Sequence, residues 1–152
     1  MALKYKLVKK RNPQDPEGPQ KWYATTNTER ALPDEEMLKR ATKNSTVSPG
    51  ELRLSLEALA SYMPEELRNG RTMHIPGVGS FRMTFKSDGA DTVEAYDVNT
   101  MVREPRVIFT PEAALRDALI HNLEFEDGGV LEDGVSYASR ADYKKAKEGG
   151  EP

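Results

Sequence analysis

The run Pro76-Gly77-Val78-Gly79-Ser80 constrains this chain more than any other segment. Its two glycines permit positive φ in a tight reversal, and the stretches on either side alternate with the period of a strand. Upstream, in Thr72-Met73-His74-Ile75, Met73 and Ile75 share a face. Downstream, Phe81, Met83 and Phe85 share one face, while Arg82, Thr84 and Lys86 share the other. The expectation is a β-hairpin with one greasy and one mildly basic face. A phosphate-cradling reading of Gly77 and Gly79 fails, because the third glycine and the strand-to-helix context of a dinucleotide site are missing and no Gly-Lys-Ser/Thr follows.

Two helices are expected before the hairpin. Pro33 suits a helix start, Asp34-Glu35-Glu36 suit the positive end of its dipole, and Met37, Leu38 and Ala41 form a stripe, which predicts a helix over 33–42. Ser48-Pro49-Gly50-Glu51 then reads as a capping box. Leu52, Leu56, Leu59 and Met63 recur at helical spacing, broadened by Leu54 and Ala58. Pro64 is expected to kink or interrupt this helix, and Asn69-Gly70 to stop it. After the hairpin, residues 87–104 are polar and acidic and predict an exposed arm. Arg106-Val107-Ile108-Phe109 returns as a strand. Thr110 as cap and Pro111 at the first helical position open a closing helix with Ala114, Leu115, Ala118 and Leu119 on one side.

The ends read differently. Tyr5–Lys9 and Lys21–Thr25 are strand-like, and the Pro- and Gly-bearing loop between them predicts a small basic β-hairpin over 1–26. From Asp127 the Gly-Gly, Asp-Gly and final Gly-Gly-Glu-Pro predict a flexible tail over 127–152, in which Val130, Leu131, Val135 and Tyr137 dock weakly at most. The main domain is therefore expected over 27–126, in an α+β class.

Charge is uneven along these segments. Residues 1–26 carry six Lys/Arg against two Asp/Glu, residues 27–126 carry 12 against 17, and residues 127–152 carry four against six. The total of −3 argues mildly against a chain built wholly to wrap a polyanion. A hydrophobic fraction of 37% in 152 residues supports a modest core, which dimerisation would enlarge. There is no cysteine, no signal-peptide core at the N-terminus and no apolar stretch of membrane-spanning length, so a soluble cytoplasmic chain is expected.

The order helix, helix, Gly70-Arg71, strand, Gly77-Val78-Gly79-Ser80-Phe81, strand, arm, strand, Phe109-Thr110-Pro111, helix resembles the bacterial histone-like HU and integration host factor family. The glycine–hydrophobic–glycine–Ser/Thr–Phe turn after a Gly-ended helix is its most specific element, and the interval from Phe81 to Phe109 matches the arm-containing interval of that family. Asn12-Pro13-Gln14-Asp15-Pro16 in the N-terminal loop brings the chain closest to a divergent branch of HU-like proteins that carries such a hairpin. The resemblance implies an intertwined homodimer, with Leu52, Leu56, Leu59, Phe81 and Phe109 in its core and Arg82, Lys86 and Arg106 on a saddle that meets DNA phosphates. It also implies location in the nucleoid and arms that reach into the minor groove. The arm departs from the family pattern: it carries Asp88, Asp91, Glu94 and Asp97 where the family has a basic arm ending in Arg-Asn-Pro, so DNA contact is expected to be weak or to use another surface.

The expected DNA contacts are therefore Arg82, Lys86, Arg103 and Arg106 on the strands, with Lys9, Lys10 and Arg11 in the N-terminal hairpin. There, Lys4, Lys6 and Lys21, interleaved with Tyr5, Trp22 and Tyr23, also suit phosphate and base stacking. The same residues equally suit solvated strand edges that discourage aggregation. His74 and His121 stand outside any metal-ligand spacing, and no carboxylate pair is marked by a surrounding site, so neither metal, cofactor, small-molecule substrate nor catalysis is expected. The alternative to a DNA-binding dimer is an HU-fold dimer serving as a protein-interaction or structural module.

Overall fold

The computed structural model describes residues 2–150; Met1, Glu151 and Pro152, which close the expected hairpin and tail segments, lie outside it. It is a mixed α+β structure that divides into two units, one formed by residues 32–120 and the other by the two ends of the chain, residues up to 31 and from 121 onward. Among the described residues no helix is long and apolar enough to cross a membrane.

In the unit of residues 32–120, α1 (Asp34–Thr42) starts after Pro33, whose φ of −57° and ψ of 142° are those of an extended residue leading into a helix. Its acidic first turn meets the helix dipole, Glu36 pairs with Arg40, and Leu38 turns inward. Thr42 closes the helix by donating from Oγ1 to the Leu38 carbonyl at 2.8 Å. α2 (Pro49–Arg68) opens with the full capping box: Ser48 Oγ accepts from Glu51 N–H at 3.2 Å, and a Glu51 carboxylate oxygen accepts from Ser48 N–H at 2.7 Å. Pro64 does not interrupt it. That residue is exposed and lies near the C-terminal end, so the missing N–H costs one hydrogen bond while the following turn continues to Arg68. Gly70, at φ 77°, then ends the helix in a Schellman arrangement, with Gly70 N–H donating to Leu67 and Arg71 N–H donating to Glu66.

The sheet of this unit is ordered β3–β4–β5, with β3 (Met73–Ile75), β4 (Gly79–Ser87) and β5 (Val102–Pro111) antiparallel throughout. Gly79 has φ 151°, and a Cβ there would run into the Thr110 carbonyl and lie 2.8 Å from Pro111 Cα, so the turn requires glycine at that position. β5 continues through Pro111, which faces Gly79, and α4 (Ala113–Ile120) begins only afterwards. Thr110 and Pro111 are thus strand residues, not the cap and first turn expected of them. Glu112 makes the transition instead: its carboxylate accepts the Gly77 N–H at 2.7 Å and its carbonyl accepts the Arg116 N–H. The arm is not wholly irregular either, since Asp97 caps a single turn, α3 (Val98–Met101).

The other unit corrects the expectation of a flexible tail. Its sheet is ordered β2–β1–β6–β7, from β1 (Ala2–Lys10), β2 (Lys21–Thr26), β6 (Glu124–Glu132) and β7 (Val135–Tyr137). The N-terminal hairpin forms as expected, with Val8 opposite Tyr23 and Lys10 opposite Lys21. β6 lies parallel to β1, a pairing between opposite ends of the chain that no local pattern signals. Gly128-Gly129 is a bulge rather than a linker: the register shifts between Tyr5 and Leu7, Gly129 has φ 112°, and a Cβ on it would strike the Tyr137 carbonyl. Asp127 fastens this corner by accepting from the Gly129 and Arg140 N–H groups, each at 3.0 Å, which holds its carboxyl below the usual range. Ser139 caps α5 (Arg140–Glu148), which lies on one face of the sheet. On that face Tyr143 meets Trp22 and Tyr137 edge-on, at centroid distances of 5.6 and 5.2 Å.

Candidate nucleic-acid interface

β4 and β5 carry the four strand cations. Directly opposed residues of an antiparallel pair share a face. Phe81 opposite Phe109 and Met83 opposite Val107 therefore form one apolar face, with the two phenyl rings 4.8 Å apart. Arg82 opposite Ile108 and Thr84 opposite Arg106 form the other. Arg82 and Arg106 are exposed and, among the described residues, enter no ion pair.

Lys86 and Arg103 behave differently. The ladder shifts by one residue between Thr84 and Lys86, and Glu104 takes a left-handed φ of 51° there. The bulge sets Arg103 opposite Lys86 and leaves a carboxylate within reach of each cation: Lys86 Nζ lies 2.6 Å from Glu104, and Arg103 pairs with Asp88. The positive charge of both is thus met within the chain. The cations are plain in the sequence and their partners are not; the signal for the partners is the acidic residue beside each end of the arm. The arm base is tied further by the Asp88 N–H, which donates to the Met101 carbonyl, and by Ser87 and Tyr96, whose hydroxyls lie 2.6 Å apart.

In the N-terminal hairpin the strand period separates residues that adjoin in sequence. Lys9 points to the side of α5, where its Nζ sits 3.1 Å from Glu132 and 5.6 Å from the centre of the Trp22 ring. Glu132, only 8% exposed, also accepts from Lys147 and from the Tyr143 hydroxyl, both at 2.9 Å. Lys147, Tyr143 and Lys9 together pull its carboxyl down to about 2, and Lys147 is pushed up in return. Lys9 is therefore part of a structural ion cluster. Lys10 projects to the opposite face and is exposed. Arg11 lies in the loop and donates to the Pro16 carbonyl at 3.4 Å. The strand cations and the hairpin cations belong to different units.

Among the described residues no cluster of three or more His, Asp or Glu side chains could hold a metal ion. His74, 3.5 Å from Glu112, belongs to the turn that Glu112 fastens.

A family model described as an HU domain fused to a wHTH, Ig or glycine-rich motif matches residues 1–127. Among solved structures, a candidate DNA-binding protein from Bacteroides vulgatus is similar at 24% identity and a TM-score of 0.56, over 86% of this chain and 48% of that one. HU from Anabaena, crystallised with DNA, is similar at 14% identity and a TM-score of 0.43, over 59% of this chain and 99% of that one. This chain thus spans about half the length of the Bacteroides protein. No curated protein matches.

Proposed function

The chain belongs to the family of HU domains fused to wHTH, Ig or glycine-rich motifs, and from that premise we propose that it is an architectural, nucleoid-associated DNA-binding protein. It acts as a homodimer and holds the duplex through its phosphates and its shape rather than by reading bases. HU domains are architectural, not catalytic. The observation that carries the proposal is the division of the β4–β5 ribbon into an apolar face and a face bearing two arginines, Arg82 and Arg106, that enter no ion pair among the described residues.

The apolar face supports the dimer. In the single chain Phe85 is 57% exposed and Val107 54%, and Met83, Phe109 and Leu56 are also exposed. An open apolar surface of that kind marks an interaction site, and Leu52, Leu59 and Phe81 are also only partly covered. The arginine face supports phosphate contact. Lys86 and Arg103 contribute there only if a phosphate displaces Glu104 and Asp88. Lys10 and Arg11 are proposed as contacts of the other unit by itself. Lys9, held by Glu132, contributes least.

The test is fluorescence anisotropy of the purified chain with a labelled duplex of about 30 base pairs, at low and moderate salt. Binding that weakens steeply with salt, and that drops on reversing Arg82 and Arg106, is expected. Absence of binding at low salt overturns the DNA reading and favours an HU-fold dimer that serves as a protein-interaction module. The neutralisation of Lys86 and Arg103 by carboxylates at the arm base is the observation on that side.

A further inference from the structure

The four-stranded sheet has two faces of opposite character. The face toward α5 holds Tyr5, Leu7, Lys9, Trp22, Val130 and Glu132, and its cations are engaged: Lys9 and Lys147 with Glu132, and Arg140 with the Tyr5 ring and hydroxyl. The opposite face follows from the register. Lys10 stands opposite Lys21, Val8 opposite Tyr23, and Lys6 opposite Thr25, so one aromatic ring lies between a lysine pair at one end and a single lysine at the other. Lys10, Lys21 and Tyr23 are exposed, and Lys6 is half-buried. Among the described residues none of these three lysines enters an ion pair. Among the strand residues of this face the acidic ones, Glu124 and Glu126, sit at its far end opposite Ala2 and Lys4, and Lys4 is taken by Glu29 at 3.1 Å; Asp15 and Glu17 lie in the loop that joins Lys10 to Lys21, and Asp133 follows β6.

Two like charges directly across a strand pair oppose folding, and Lys10 and Lys21 occupy that position with no carboxylate between them. A phosphate placed there would turn the repulsion into two attractions. Tyr23, one pair further in, offers a flat ring to a base, the combination by which open sheet faces hold single strands without reading sequence. We infer that this face is a binding site for single-stranded DNA, with Lys6, Lys10 and Lys21 on phosphates and Tyr23 stacked on a base. The choice of DNA over RNA rests on the function proposed above; the site itself does not.

The test measures anisotropy of labelled dT15, rU15, a polyglutamate 15-mer and a 30-base-pair duplex with the full chain. Wild type is expected to bind dT15 more tightly than polyglutamate. Lys10→Gln/Lys21→Gln is expected to weaken dT15 binding about tenfold while raising Tm, because the repulsion is relieved; a purely structural role for these lysines would lower Tm and leave binding alone. Tyr23→Ala is expected to weaken dT15 binding about fivefold or more, with Tyr23→Phe close to wild type. Lys144→Glu/Lys145→Glu, on α5, controls for overall charge. Equal binding of polyglutamate, unchanged dT15 affinity in the glutamine pair, or preference for rU15 overturns the inference. Loss of duplex binding in Arg82→Glu/Arg106→Glu with dT15 binding intact separates this site from the proposed duplex contact: failure of the duplex reading alone leaves the single-strand site standing.

Discussion

Glu132 shows how much one side chain organises. Three donors, Lys9, Lys147 and Tyr143, converge on a carboxylate in a segment whose composition predicts a flexible tail. Its folded-state pKa is depressed from an ordinary 4.5 to about 2, so its contribution to stability is complete above about pH 4.5 and is lost as pH falls toward 2. Thermal unfolding followed by circular dichroism is expected to show Tm falling through that window, and Glu132→Gln to have a lower Tm at pH 7 with a flatter acid limb. An unchanged acid limb in the variant would remove the cluster from the stability of the unit. The residues of this cluster are plain in the sequence, but their meeting is not, because Lys9 and Glu132 are joined only through a parallel strand pair between the two ends of the chain.

Elements were legible where their instructions are local. The capping box at Ser48 and Glu51, the stop at Gly70 and the turn at Gly77 and Gly79 each lie within a few residues, and all occur as the spacing predicts. Elements were misread where the deciding contact is distant. Gly128-Gly129 has the composition of a linker and acts as a bulge because Tyr137 and β1 close around it; Thr110-Pro111 has the signature of a helix start and stays in the ladder because Gly79 pairs with Pro111. The distinction gives expectations for two substitutions. Ser48→Ala removes one side of the box and should cost about 1 kcal/mol in urea denaturation. Gly79→Ala must place a Cβ against the Thr110 carbonyl at an unfavourable φ, and should cost about 1–3 kcal/mol. A Gly79→Ala loss no larger than that of Ser48→Ala would show that the turn relaxes.

At the scale of the whole molecule, the small set of buried apolar side chains among the described residues, Leu38, Leu67 and Val130, contrasts with the exposed apolar face of the β4–β5 ribbon. A dimer that buries this face makes Tm rise with protein concentration, and Val107→Glu is expected to abolish that dependence and shift sedimentation to the monomer. The proposed dimer would also set the electrostatics of the proposed duplex binding. It presents Arg82 and Arg106 twice, and if those four cations are the phosphate contacts, the slope of log K against log salt should be about −3 to −4. Arg106→Gln removes one contact from each subunit and should flatten that slope by about 2. The ion-paired cations make the opposite comparison. Glu104→Gln releases Lys86 from its carboxylate, adding one free cation per subunit, and should steepen the slope by a similar amount while tightening binding at low salt. If Glu104→Gln leaves the slope unchanged while Arg106→Gln flattens it, the arginine face alone carries the duplex. If neither moves it, the duplex lies on another surface.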